Sequence, residues 1–139
     1  MLHEAIHAYL LSQVDSADAG TINQTQFQES FSLLWEYYMD GLGSANQAQH
    51  ETIAQLFVNT LANALKEWDN NSQSPQYYID LAWGGLHETN IYLTTISLTD
   101  DDRDRIKDVN ESEDFNETKQ HINSLGETII TSPKGTLCP

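Results

Sequence analysis

Apolar residues recur at helical spacing along most of this chain, and nothing alternates long enough to suggest a strand until its last residues. Ile6, Leu10, Leu11 and Val14 predict a first helix over about Leu2–Val14, and Ala5, Ala8 and Leu11 read as buried with them. The polar stretch Asp15–Gln24, with Gly20 inside it, ends that helix. Phe27, Phe31, Leu34, Trp35 and Tyr38 share one face of a second helix over about Thr25–Tyr38, broken by Asp40-Gly41-Leu42-Gly43-Ser44.

The longest helical pattern runs from about Ala45 to Trp68, with the stripe Ile53, Ala54, Phe57, Leu61, Ala64, Leu65 and Trp68. Ser74 followed by Pro75 is a cap with a first-turn proline, and opens a helix over Gln76–Trp83. Gly84-Gly85 breaks or kinks it, and the helical pattern resumes from Leu86 to Ile96. Thr99 ahead of three aspartates is a strong start signal for a further helix, since the hydroxyl caps the first turn and the carboxylates suit its dipole. From about residue 110 the chain turns polar and acidic, which predicts loose order with one short strand over Thr128–Thr131. The fold class is mainly α, read as a single domain over residues 1–139.

Charge narrows the partners. Against 21 Asp+Glu stand 6 Lys+Arg, a formal net charge of −15. Such a surface repels phosphate backbones and anionic membranes, which leaves neither nucleic acid nor a membrane as an expected partner. No apolar run approaches the roughly 18 residues that cross a bilayer. Cys138 is the single cysteine, so no internal disulfide forms, and nothing in the sequence names a compartment.

The residues that carry chemistry come at the start. His3-Glu4-Ala5-Ile6-His7 is the H-E-x-x-H pattern on a predicted helix. Residues four apart on a helix lie one above the other, so His3 and His7 can reach one zinc ion at about 2.0–2.1 Å. Glu4 then stands beside the metal as general base, taking a proton from a zinc-activated water and passing it to the leaving amine.

Such a site needs a third protein ligand and an open fourth position. The layout with Gly three and His six residues after the second histidine fails, because Leu10 and Gln13 stand there. The other layout takes a Glu or His from a later helix. Glu29 lies opposite the Phe27/Phe31/Leu34 face and is expected in solvent. His50 precedes Ile53, Ala54 and Phe57 by three, four and seven residues, so it continues the apolar stripe. It is the preferred third ligand. Glu51, one position round, is the second choice.

His3-Glu4-Ala5-Ile6-His7 resembles the active-site helix of the zincin metallopeptidases. Extended to Ala8-Tyr9-Leu10 it is similar to the SprT-like branch and to bacterial putative metallopeptidases. Gln49-His50-Glu51-Thr52-Ile53-Ala54 and Asp80-Leu81-Ala82-Trp83-Gly84-Gly85-Leu86 also look like segments of the latter group. The resemblance covers about the first two-thirds of the chain, and only its first five residues are a specific motif. It implies a zinc-dependent peptidase acting on protein or peptide substrates, with zinc at His3, His7 and a later ligand. Zincins carry a sheet ahead of this helix, and here the motif begins at residue 3, so the expected fold is the helical part of a zincin without that sheet. The alternative function is a non-catalytic helical interaction module that keeps the helix for its packing.

Three further features invite a role. Trp83-Gly84-Gly85-Leu86-His87 reads first as a packed helix junction with an incidental surface histidine, and second as a spare ligand or oxyanion donor. Tyr77, Tyr78 and Tyr92 read as core or rim packing before hydrogen-bond donors to an intermediate. The aspartates at 100–104 lack the calcium-loop pattern and suit a helix start better.

Overall fold

The computed structural model describes residues 2–95 and 97–134, with the side chains of residues 2–5 outside the described set. The chain is mainly helical and divides into two compact units, Met1–Phe57 and Val58–Pro139. Among the described residues no helix is long and apolar enough to cross a membrane.

The first unit holds α1 (Leu2–Asp18), α2 (Gln24–Ser30), α3 (Ser32–Tyr38) and α4 (Ala45–Leu56). Helix α1 packs on the other three, with Ile6, Leu10, Val14 and Ala17 buried. Its opposite side faces water. Ala8 and Leu11, read as buried, are exposed, because burial follows the stripe at positions 6, 10, 14 and 17 rather than the whole helix.

The predicted second helix is two. Asn23 caps α2 by accepting from the Gln26 amide. Phe31 then steps out of helical geometry at φ −137°, ψ 54° before α3 resumes. At that step the Phe31 ring lies against Tyr9 and Phe27, with centroids 6.4 and 5.5 Å away. The long predicted helix is also two, parting at Phe57, whose backbone sits at φ −118°, ψ −7°. Neither break involves glycine or proline, and the apolar stripe runs straight through both.

The second unit holds α5 (Val58–Trp68), α6 (Pro75–Ala82), α7 (Asn90–Thr94), α8 (Asp100–Phe115), β1 (Lys119–Ile122) and β2 (Thr128–Thr131). Its core gathers Leu61, Tyr78, Ala82, Trp83, Leu86, Tyr92, Ile106 and Val109. Ser74 caps α6 ahead of Pro75, as predicted. The segment expected to be helical from Leu86 to Ile96 forms only the five residues of α7, capped by Thr89; Ile96 lies outside the described residues. Thr99 opens α8 with a full capping box: its hydroxyl accepts from the Asp102 amide while Asp102 accepts from the Thr99 amide.

Helix α8 continues to Phe115, and a hairpin follows where loose order was expected. Antiparallel β1 and β2 pair Gln120 with Ile130 and His121 with Ile129. Their tight turn is built by Asn123, whose side-chain oxygen accepts from the Leu125 and Glu127 amides, and by Gly126 at φ +80°. His121 Nδ1 lies 2.8 Å from Asp108 of α8, which fastens the hairpin to the helix.

Candidate metal centre

The site builds on α1 and α4. His7 is half-buried on α1, one turn along from His3. On α4, Ala48, Gln49, Glu51, Thr52, Ile53 and Ala54 are buried, and His50 is half-buried among them. The structure brings His7 and His50 into ring contact, with centroids 5.0 Å apart and planes at 66°.

Two hydrogen bonds organise this pair. Gln49 Oε1 lies 2.6 Å from His7 Nδ1, and Gln49 Nε2 donates to the Tyr38 hydroxyl at 2.7 Å. A glutamine oxygen can only accept, so it selects the tautomer of His7 that carries its proton on Nδ1. The lone pair of the neutral ring then belongs to Nε2. Ligand histidines are characteristically held this way, by an acceptor on the far nitrogen that fixes ring orientation. Gln49 is a residue the sequence analysis did not assign. Its neighbour His50 drew attention as a ligand type, whereas the role of Gln49 depends on Tyr38, which reaches it from another helix.

Glu51 is buried, and its Oε1 accepts from Gln47 Nε2 at 2.6 Å, one turn back along α4. Glu29 is exposed, as its position opposite the aromatic face predicted.

The donor set can be tested against zinc. Two imidazoles held about 2.0–2.1 Å from one tetrahedral ion have ring centroids roughly 5 Å apart. The 5.0 Å separation of His7 and His50 matches that spacing, and the Gln49 contact matches the outer shell such a ligand uses. The side chains of His3 and Glu4 lie outside the described residues, and among the described residues no group of three His, Cys, Asp or Glu side chains forms a metal cage.

The remaining residues noted from sequence lie in the second unit. Gly84 sits tight against α8: a Cβ there would meet Asn110 Oδ1 at 2.6 Å and the Leu81 carbonyl at 3.0 Å. The packed-junction reading of this segment therefore holds. His87, expected at the surface, is half-buried instead; its ring stands edge-on to Tyr92 and its Nε2 is buried with no hydrogen-bond partner among the described residues. Burial pulls its pKa below the ordinary histidine value, outweighing the opposing pull of Glu111 and Asp114. Tyr78 and Tyr92 are core residues, the latter donating to the Arg103 carbonyl at 3.0 Å. Tyr77 is half-buried and donates to Glu113 at 2.7 Å.

No protein-family model, curated protein or solved structure matches this chain.

Proposed function

We propose that this chain carries the zinc-binding centre of a zinc-dependent metallopeptidase of zincin type, with His3, His7 and His50 as ligands and Glu4 as general base. The observation that carries the reading is the approach of His7 to His50 at 5.0 Å, across 42 residues of sequence, with Gln49 fixing the outer nitrogen of His7. Periodicity had singled out His50 for its facing alone, so its contact with the second motif histidine is independent support. Glu51 remains the second choice, and its bond to Gln47 already occupies one carboxylate oxygen.

Bound zinc would supply a Lewis acid that polarises a carbonyl and acidifies a water molecule. The chain's own part is to hold and move a proton. Gln49 keeps the His7 proton on Nδ1, and the Tyr38 hydroxyl accepts from the Gln49 amide, which holds that amide's orientation. Glu4, between the two motif histidines in sequence, takes the proton of the attacking water and returns it to the leaving amine. The substrate class is a protein or peptide.

The test is zinc content by elemental analysis, followed by zinc affinity from competition with a chromophoric chelator. One zinc per chain is expected, lost in His3→Ala and in His50→Ala but kept in Glu51→Ala and in Glu4→Gln. Gln49→Leu should keep the metal but bind it about 10–100-fold more weakly. A chain that binds no zinc, or one whose zinc survives both His3→Ala and His50→Ala, overturns the reading and leaves the non-catalytic helical module. If zinc binds as expected, Glu4→Gln must also abolish any peptide hydrolysis the parent chain shows.

A further inference from the structure

The second unit contains a cavity that the metal centre does not use. Its volume is about 210 Å³, and Leu65 of α5 and Leu81 of α6 form its apolar lining. Three aromatic residues join them: Trp68 at the end of α5, and Tyr77 and Tyr78 on α6. Two carboxylates, Asp69 and Glu113, stand in the wall with Gln73 and Lys134. Trp68 is 84% exposed, although the apolar stripe of its helix would have buried it. A tryptophan held in water at the mouth of an apolar cavity is the kind of surface that marks a binding site.

Two tyrosine hydroxyls in this wall are committed to its carboxylates. Tyr78 donates its hydroxyl to Asp69 Oδ2 at 2.6 Å, and Tyr77 donates to Glu113 Oε1 at 2.7 Å. Hydrogen bonds from Ser72 and Tyr78 together hold Asp69 below the usual carboxylate range. Burial, and then Glu113, raise the Tyr77 phenol above its ordinary value, so it stays a neutral donor. Lys134 also borders the cavity, where its backbone N–H donates to Glu113 and its side chain is exposed. No ion pair involves Asp69 among the described residues.

We propose that this cavity binds an organic ammonium group, seated against the faces of Trp68 and Tyr77 and drawn in by the Asp69 and Glu113 carboxylates. Aromatic faces attract a cation through their quadrupole, most strongly tryptophan, and a quaternary ammonium gives up its water readily. A neutral ligand would gain the apolar lining but nothing from two fixed negative charges. The volume sets the size: drug-sized ligands fill about 300–1,000 Å³, so a cavity of 210 Å³ takes a headgroup and not a large molecule.

Choline and its neutral carbon isostere, 3,3-dimethyl-1-butanol, separate the charge from the shape. Each is titrated into the full chain while the indole N–H of Trp68 is followed by ¹H–¹⁵N NMR. Choline is expected to shift that signal saturably, with the alcohol about 10-fold weaker or more. Glu113→Gln should weaken choline several-fold and leave the alcohol unchanged. In Trp68→Ala, read through the amides of Tyr77 and Tyr78, choline binding should be lost. That variant replaces a side chain already in water, so the fold is retained. Equal binding of choline and the alcohol overturns the proposal in favour of a plain apolar pocket. A Trp68 signal that choline does not move overturns it outright, and unchanged choline binding in Trp68→Ala does the same.

Discussion

His87 holds a ring nitrogen out of water with no hydrogen-bond partner among the described residues, and a buried polar atom in that state costs about 1–3 kcal/mol. The cost is tolerable only while the ring is neutral. Desolvation lowers its pKa first, Lys107 adds to the lowering, and Glu111 and Asp114 oppose it. A folded-state pKa below the unfolded value of about 6.5 means that the unfolded chain binds the extra proton more readily. The neutral ring is thus accommodated in full above pH about 6.5, and stability is lost as pH falls below that value toward the folded pKa. Urea midpoints of the parent chain and His87→Leu, compared from pH 7.5 downward, should show the parent losing more stability below 6.5. Parallel curves would mean that His87 is solvated. Sequence could not show this, since His87 reads as an incidental surface residue of a helical segment, and the Tyr92 ring that stands edge-on to it comes from α7. The same limit hid Gln49, while His7 and His50 were legible because spacing alone sets a helical face.

Element boundaries were legible where local chemistry sets them and obscure where packing does. The Ser74-Pro75 and Thr99 starts are side-chain caps, written in the residues that make them. The breaks at Phe31 and Phe57 carry no breaker residue, and each places an aromatic ring against Tyr9. The hairpin was half-read because its pattern is inverted. Ile122 and Ile130 face water, while Lys119 and His121 turn toward α8. Trp68 was assigned to the buried stripe of its helix, yet as the last residue of α5 it lies beyond the neighbours that would have covered it. The Gly84 junction offers a sharp test at this scale. Asn110 donates its side-chain amide to the Asp80 and Ile106 carbonyls, so it cannot swing aside without losing two buried hydrogen bonds. Gly84→Ala should therefore destabilise by about 1–3 kcal/mol, seen as a lower urea midpoint at constant slope. In an Asn110→Ala background the added cost of Gly84→Ala should shrink, because the closest clash is gone. Full additivity of the two substitutions would place the strain elsewhere.

For the whole molecule the dominant long-range term is self-repulsion. With 21 acidic and 6 basic side chains, the net charge of −15 favours any state that spreads the carboxylates apart. The opposing term is the attraction in specific ion pairs, which added salt also weakens. Among the described residues the pairs are few and mostly at the surface, where each contributes about 0–1 kcal/mol. Arg103–Asp100, Lys107–Glu111 and Lys119–Glu117 are of that kind. The strongest is Arg105, 2.9 Å from Asp80 and 2.7 Å from Asp102, and the Asp80 carboxylate is only 2% exposed, so salt reaches it least. Screening should consequently remove more repulsion than attraction. The Debye length falls from about 30 Å at 0.01 M to about 3 Å at 1 M, so added salt cuts off repulsion between exposed carboxylates at progressively shorter range. Thermal midpoints in sodium chloride, a salt chosen over sulfate to avoid preferential exclusion, should rise steadily across that range. The increase should be smaller at pH 4 than at pH 7, since protonated carboxylates no longer repel. A midpoint that falls with sodium chloride at pH 7 would mean that the ion pairs outweigh the excess charge, with Arg105→Met the first substitution in which to look for the change of sign.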